Sequence, residues 1–342
     1  MPRVQVQIVT WNSLAYIRDC MDALAQQTFT DFTVVVIDND SQDQTVAFLR
    51  EHYPTITVLQ NFKNQGFARA HNQGIQYAKT EYVLVLNPDV VLSPSFLERV
   101  IESADRQPKA ASIGGKMLRL TSDATVGDDG EAFCTLQRSQ IIDSTGLLIH
   151  KNRHVTERGA NQTDQGQYDK SGEVFGVSGA CVLYRVEALR EVAILNEFFD
   201  VSFFAYKEDI DLAWRLQLYG WSAYYCAAAI GYHVRHFAAS GQRTVGALAK
   251  SRRDISRRIK AYSLRNHYCT IIKNDHLQNM ILHAPRILVR EFARVGYCLL
   301  FEPYQWRTFG EVMRLLPKML VKRAIIKQHC NRTAKDMRKW FV

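Results

Sequence analysis

The 342-residue chain is short of most features that assign a protein at a glance. Its seven cysteines (20, 134, 181, 226, 269, 298 and 330) include no CxxC pair and no His/Cys grouping at zinc spacing. That excludes a zinc-finger-type module; an odd number of widely spaced cysteines reads as reduced thiols, the pattern of a cytosolic protein. No run of about 18 apolar residues occurs, so no membrane span is expected. The greasiest stretch, near 280–301, is broken by His283, Pro285, Arg286, Arg290, Glu291 and Arg294. MPRVQVQIVTWNS at the N-terminus has no apolar signal core, so secretion is not expected. No internal repeat is found, and no strand end carries the Gly-rich dinucleotide fingerprint.

Acidic charge is also missing from one part of the chain. Residues 1–245 hold 22 Lys+Arg against 28 Asp+Glu, a net of −6, whereas residues 246–342 hold 21 against 6, a net of +15. The overall +9 therefore averages two regions that face different partners. The first is the candidate for chemistry. The second suits an anionic surface, lipid phosphate before nucleic acid.

What is present is a strand–helix alternation. Val4–Thr10, Thr33–Ile37, Thr57–Gln60, Tyr82–Leu86 and Ala111–Gly115 read as strands, and the unbroken apolar run TVVVI suits a strand covered on both faces. Between them lie helical patterns: Leu14, Ile17, Met21 and Leu24 on one face after Asn12-Ser13, a helix to about Glu51 opened by a Ser41/Gln44 capping box, Phe67–Lys79, and a helix with Ser93 as N-cap and Pro94 at N1. Residues 121–172 are Gly-, Asp- and Thr-rich and read as irregular, with a short hairpin at Ile141–Ile149. A strand near Tyr224–Ile230 follows a helix beginning in FFAYKEDIDLAWRLQLYG (203–220). The alternation argues a parallel, doubly wound sheet, in which ligands gather at the carboxyl ends of strands.

Those ends read TWN (10–12), DND (38–40), NFKNQG (61–66) and NPD (87–89), all polar. In NPD, either a plain turn or a hard-oxygen edge for Mg²⁺ or Mn²⁺ accounts for Asn87 and Asp89. Asp38 leaves its strand where a ribose hydroxyl or a base N–H can be accepted, and capping does not account for it. Gly66 in NQGFARAHNQG permits positive φ or a close backbone approach. His233 and His236 in IGYHVRHFAASG are each a structural histidine or a metal or diphosphate contact.

Taken together, in this order and spacing over roughly 4–241, the segments VTWNSLAYIRDCMDALAQQTF, VVVIDNDSQDQT, NQGFARAHNQGI, LNPDVVL, SGACVLYRVEAL and FFAYKEDIDLAWRLQLYGW resemble the family-2 glycosyltransferases, and within them the rhamnosyltransferase-like enzymes. The resemblance implies the GT-A fold: a Rossmann-like, mixed, mostly parallel sheet flanked by helices over 1–245, with a donor half to about 115 and an acceptor half after it, followed by a basic helical extension over 246–342. It implies nucleotide contacts at Thr10, Trp11, Asn12, Asp38, Asn39, Gly66, Arg69, Asn72 and Asn87. It places a divalent metal, Mg²⁺ or Mn²⁺, on Asp89 and, by its position after the strand, on His233 before His236. Asn87 stands where the family's metal motif usually has aspartate.

The family's Glu-Asp pair falls on Glu208-Asp209, with Asp209 as general base and Glu208 as its helper; Asp211 reads as an ordinary helix residue or a partner of Arg215. The implied reaction is an inverting, metal-dependent transfer from a dTDP- or UDP-sugar to a saccharide hydroxyl, the acceptor carried on a polyprenyl diphosphate lipid. Basic residues interleaved with Leu, Ile, Phe and Trp after 246 suit interfacial helices, so a cytoplasmic enzyme on the inner membrane face is expected, with no nucleic acid. Two alternatives were open: a sugar-1-phosphate nucleotidyltransferase, for which TWNSLAYI offers no Gly-rich phosphate loop, and a basic nucleic-acid-binding protein with a degenerate enzyme body.

Overall fold

The computed structural model describes residues 1–126, 132–234 and 256–342. His236 and the 245/246 boundary lie outside the described residues. The N-terminal half alternates as expected: β1 (Val4–Thr10), α1 (Leu14–Ala25), β2 (Phe32–Asp38), α2 (Thr45–His52), β3 (Thr57–Gln60), α3 (Gly66–Gln76), β4 (Tyr82–Leu86), β5 (Val90–Leu92) and α4 (Phe96–Arg106). Then come β6 (Ala110–Val126), β7 (Ala132–Ser144), β8 (Leu147–Ile149), β9 (Val155–Glu157), β10 (Gly172–Val174), β11 (Cys181–Arg185), α5 (Val186–Glu191), α6 (Glu208–Leu218) and β12 (Ser222–Val234). The main sheet runs β10-β12-β6-β11-β4-β1-β2-β3, with β5 on β12 and β7 on β6. It is the expected mixed sheet flanked by helices: β4-β1-β2-β3 and β6-β12 are parallel, and β11 enters antiparallel between β4 and β6.

The apolar runs are continuous because the sheet has a core on each face. In β4, Tyr82, Leu84 and Leu86 pack with Val6, Ile8, Ile17 and Val100, while Val83 and Val85 point the other way to Ile75, Trp214 and Leu216. Each such fully buried aliphatic side chain contributes about 1.5–3 kcal/mol relative to exposure. Ala213, Trp214 and Leu218 fix α6 to the second core, Trp214 lying edge-on to Phe175 and Phe341 with centroids 6.0 Å away from each.

Three local expectations change. Ser41 and Gln44 form no capping box: the Ser41 hydroxyl donates to Asp38 (2.5 Å), and Asp43 accepts from the Thr45 N–H (3.0 Å) and hydroxyl (2.5 Å) at the start of α2. Ser93 does not cap α4, which begins at Phe96; the Ser93 N–H donates to the Ile230 carbonyl (3.0 Å) and its carbonyl accepts from Gln27 (2.8 Å), so β12 and the loop after α1 hold it. Residues 121–172 are not mainly irregular, since β6 and β7 pair antiparallel as a long hairpin and β8 pairs with β9.

The described part of the basic region, 256–342, is mainly helical: α7 (Arg257–Asn274), α8 (Leu277–Leu282), α9 (Ala284–Phe301), α10 (Trp306–Gln328) and α11 (Ala334–Met337). Helices α7 and α10 pack on each other, and α7 packs on α6. Buried ion pairs join them to the sheet domain. Lys273 of α7 reaches Asp200 (2.7 Å) and Asp211 (2.8 Å), and Lys322 of α10 reaches Asp200 (2.7 Å) and Glu197 (2.6 Å). Asp211 is thus no exposed helix residue: it is fully buried, accepts also from Asn274 (2.8 Å), and has Arg215 at 3.9 Å. Among the described residues no helix is long and apolar enough to cross a membrane, and none of the six cysteines whose side chains are described forms a disulfide.

Candidate active site

The parallel register brings the polar strand ends to one edge. Thr10 lies opposite Asp38, Asp38 opposite Gln60, and Ile8 opposite Leu86, so TWN, DND, NFKNQG and NPD emerge together. The antiparallel β11 delivers its N-terminal end there, with Cys181 opposite Leu86, and β12 delivers His233 opposite Val90.

Asp38 is buried and accepts from the Thr10 hydroxyl (2.8 Å), the Ser41 hydroxyl (2.5 Å) and the Ser41 N–H (2.9 Å). Asn12, at φ 52°, donates its N–H to Ser41 (2.9 Å) and accepts from the Gln42 N–H (2.7 Å), tying the first two loops together, while Trp11 stands exposed beside them. Asn39 is buried and holds the third loop, accepting from Asn61 (3.0 Å) and donating to the Gly66 carbonyl (3.3 Å). Arg69 is exposed on α3.

Two expected donor contacts hold the chain leading to α6. Asn72 clamps the Phe199 backbone from both sides, donating to its carbonyl and accepting from its N–H at 2.8 Å each. Gly66 has φ 78°, and a Cβ there would stand 2.5 Å from the Phe204 carbonyl oxygen. Glycine is required on both counts. The Ala68 N–H donates to that same carbonyl (3.1 Å).

The segment 203–207 is bent, with Phe204, Tyr206 and Lys207 all left-handed at φ 64°, 72° and 69°. Non-glycine residues hold such angles only when the surroundings over-determine them. Here Asn266 of α7 donates to the carbonyls of Phe203 (3.0 Å), Ala205 (2.9 Å) and Tyr206 (2.7 Å). The bend starts α6 with Glu208 and Asp209 at its N-terminus, where helix polarity favours negative charge.

The two carboxyls differ in their partners. Asp209 accepts from the backbone N–H of Gly179 (2.9 Å) and Ile210 (2.8 Å). The Gly179 approach is close, since a Cβ there would stand 3.0 Å from the Asp209 Cβ. Ala180, the next residue, accepts from the Asn87 N–H (2.8 Å), which sets Asp209 beside the NPD turn. Glu208 is buried, and its Oε2 has no hydrogen-bond partner among the described residues. Burial, then the neighbouring Asp209, pushes Glu208 up to about 8. Burial also raises Asp209, opposed by the Gly179 and Ile210 amides and by Lys207. Glu208 is therefore protonated at neutral pH, whereas the Gly179 and Ile210 amides favour the charged form of Asp209; unlike surroundings of two neighbouring carboxyls are how one site sets an acid beside a base.

At the other side of NPD, Asp89 Oδ1 stands 3.5 Å from His233 Nε2, and His233 Nδ1 is 2.9 Å from Asp143 of β7. Burial disfavours the imidazolium, yet Asp143 and Asp89 push His233 up to about 9. This donor set could hold a divalent cation in exchange for the Nε2 proton of His233: Asp89 and the deprotonated Nε2 would be the ligands, and Asp143 the carboxylate that orients the ring from behind. Among the described residues no three His, Cys, Asp or Glu side chains group around one metal position. Two protein ligands suit Mg²⁺ or Mn²⁺, which take their remaining ligands from substrate phosphates and water. Asp143 was not singled out: the short hairpin read at Ile141–Ile149 covers it, but the strand that carries it, β7, pairs with β6, and that pairing is what brings it behind His233.

The family model described as glycosyl transferase family 2 matches residues 5–193. The chain is 26% identical over 243 residues to N-acetylglucosaminyl-diphospho-decaprenol L-rhamnosyltransferase of Mycobacterium tuberculosis, covering 68% of this chain and 76% of that one. Its fold is similar to S. aureus TarS 1–349 in complex with UDP (TM-score 0.54, 18% identity, 98% of this chain and 91% of that one). It is similar also to GalNAc-T7 with UDP, GalNAc and Mn²⁺ (TM-score 0.56, 12% identity, 80% of this chain), of which this chain spans about half, 48%.

Proposed function

The chain belongs to glycosyl transferase family 2 and is a glycosyltransferase of rhamnosyltransferase-like type, and from this premise we propose an inverting, metal-dependent transfer from a nucleoside-diphosphate sugar to a hydroxyl of a lipid-linked saccharide. The observation that carries the proposal is the convergence, at one sheet edge, of the TWN, DND and NPD loops with the amide-bonded carboxyl of Asp209 and the Asp89–His233 pair.

In this reading Thr10, Trp11, Asn12, Asp38, Asn39 and Arg69 form the nucleotide side. Gly66 and Asn72 hold the loop that completes it, and Asn87 turns the chain toward the diphosphate. Asp89 and His233 hold the divalent ion, which when bound neutralises charge on the diphosphate oxygens. Asp209 takes the proton of the acceptor hydroxyl as that oxygen forms its bond to the anomeric carbon. The carbon–oxygen bond to the nucleoside diphosphate breaks on the opposite face, and the electron pair leaves with the diphosphate. A positioned base of this kind contributes typically 10²–10⁴-fold. Glu208, protonated, adds no second negative charge beside Asp209. One displacement inverts the anomeric centre.

The M. tuberculosis relative's name specifies a diphospho-decaprenol acceptor. A polyprenyl-diphosphate acceptor for this chain accords with its basic C-terminal helices, whose net charge favours the inner, cytoplasmic membrane surface. The test is a donor screen with dTDP-rhamnose and common UDP-sugars, with and without Mg²⁺ or Mn²⁺, reading nucleoside diphosphate release and the anomeric configuration of the product. Turnover that needs the metal and inverts the anomer supports the proposal. Binding and turnover of none of them overturns it.

A further inference from the structure

Helix α9 has two unlike sides. Outward it exposes Leu288, Val289, Phe292 (73%) and Leu300 (77%), a face that no described residue covers. Inward it carries Arg290 and Arg294, one turn apart, toward the bend that precedes Asp209. Arg290 donates to the Asn152 carbonyl (3.3 Å) and has no carboxylate within ion-pair distance among the described residues. Arg294 donates to Glu291 (2.9 Å) and to the Tyr268 hydroxyl (3.2 Å). Glu291 is already occupied: it also accepts from Tyr268 and faces His267 at 3.9 Å. Lys207, half-buried and left-handed, accepts the Asp211 N–H at its carbonyl (3.0 Å), but its ammonium makes no hydrogen bond or ion pair among the described residues; its charged neighbours are Asp209, Arg290, Arg294 and Glu208. His154 on the β8–β9 hairpin feels Arg290, Lys207 and Arg294 as well.

Such crowding of like charge is unfavourable without an anion. Burial, and then the two arginines, pushes Lys207 down to about 8, with Asp209 and Glu208 opposing; burial and Arg294 push Arg290 down to about 10. Among the described residues only Glu291 pairs directly with one of these three cations, and Asp209 and Glu208 lie nearby without an ion pair to Lys207; a fold that confines three cations with so few direct partners holds a preformed counter-site for a multivalent anion. Arginine forks and a lysine ammonium bind phosphate oxygens by short, charge-assisted bonds.

We infer that Lys207, Arg290 and Arg294 form a site for the diphosphate of a lipid-linked acceptor, with the outer face of α9 in the membrane interface beside it. The inference rests on the lipid-linked acceptor proposed above. Lys207 is two residues from Asp209, so a diphosphate held there presents the sugar bonded to it at the base. Nothing in the fold needs the three cations to converge: Arg265 and Asn266 already hold the bend through its carbonyls.

The test uses the full chain and the double variant Lys207→Gln/Arg290→Gln, which keeps polar side chains at both positions. Calorimetry with inorganic pyrophosphate in EDTA reads the site directly, and flotation of phosphatidylcholine vesicles with and without a polyprenyl diphosphate reads it in the lipid setting. Phosphatidylglycerol at matched charge is the second arm. The expected result is pyrophosphate binding weakened at least tenfold in the variant, and loss of the extra vesicle binding that polyprenyl diphosphate gives the wild type. Absence of pyrophosphate binding by the wild type, equal binding by the variant, or an equal gain from phosphatidylglycerol overturns the inference. Nucleoside-diphosphate-sugar binding, measured in parallel, separates this from failure of the transferase reading: that reading fails if the donor does not bind, whatever pyrophosphate does.

Discussion

Replacing Lys273 by methionine removes one ammonium and keeps nearly the same side-chain volume. In the wild type that ammonium lies between two buried carboxylates, Asp200 at 2.7 Å and Asp211 at 2.8 Å. Removing one partner of a buried ion pair costs about 3–5 kcal/mol, because it leaves a charge uncompensated. The losses at the two carboxylates differ. Asp200 keeps Lys322 at 2.7 Å, whereas among the described residues Asp211 keeps only the Asn274 amide at 2.8 Å and Arg215 at 3.9 Å. The cost therefore falls on Asp211, and the expected destabilisation is near the lower end, about 3 kcal/mol. Urea unfolding at pH 7 followed by far-UV circular dichroism measures it. Lys273→Met/Asp211→Asn should lose less than the sum of the two single changes, since the stranded charge is gone. A loss below about 1 kcal/mol would place Lys273 with exposed ion pairs and refute the reasoning.

Glu208, pushed up to about 8 by burial and Asp209, stays protonated in the fold at pH values where the unfolded chain releases its proton. Stability from this group is thus lost as pH rises from about 4.3 toward 8; Glu208→Gln, permanently neutral, should flatten that slope in denaturant melts, and an unchanged slope would remove Glu208 as its source. Asp143→Asn should weaken Mn²⁺ binding about 10–100-fold by electron paramagnetic resonance, the usual effect of losing the carboxylate behind a ligating histidine; unaltered affinity would detach Asp143 from the metal. Gly66→Val forces a β-branched residue to φ 78° with its Cβ 2.5 Å from the Phe204 carbonyl oxygen. It should destabilise by at least about 1–3 kcal/mol and lower transfer through the displaced bend, and full stability would show that the loop yields freely.

Most of the sheet was legible because its strands are apolar runs bounded by polar turns, a pattern local in sequence. Val4–Thr10, Thr57–Gln60 and Tyr82–Leu86 have the same limits in the sequence and in the fold. The short strand Val90–Leu92 was not, because three residues carry no period and its order comes from pairing with β12. The β6–β7 hairpin was hidden for a related reason: its polar residues alternate little, and cross-strand bonds make it a strand pair. The site divides similarly. Asp38 ends β2, Asp89 follows β4, Asp209 lies in the first turn of α6 and His233 is the last residue but one of β12, so their sequence context marks them. Asp143 and the Lys273 network depend on partners 62–90 residues distant, and no local pattern carries that information. Asp211 shows the limit, since its i,i+4 relation to Arg215 was visible while its closer partners in α7 were not.

The central claim is that Asp209 is the base of the sugar transfer. Its direct measurement is the pair of donor affinity and transfer rate for Asp209→Asn, which is near-isosteric and still placed by the Gly179 and Ile210 amides. The account predicts unchanged binding of the nucleoside-diphosphate sugar and a fall in kcat of about 10²–10⁴-fold. Transfer at the wild-type rate by that variant would contradict it.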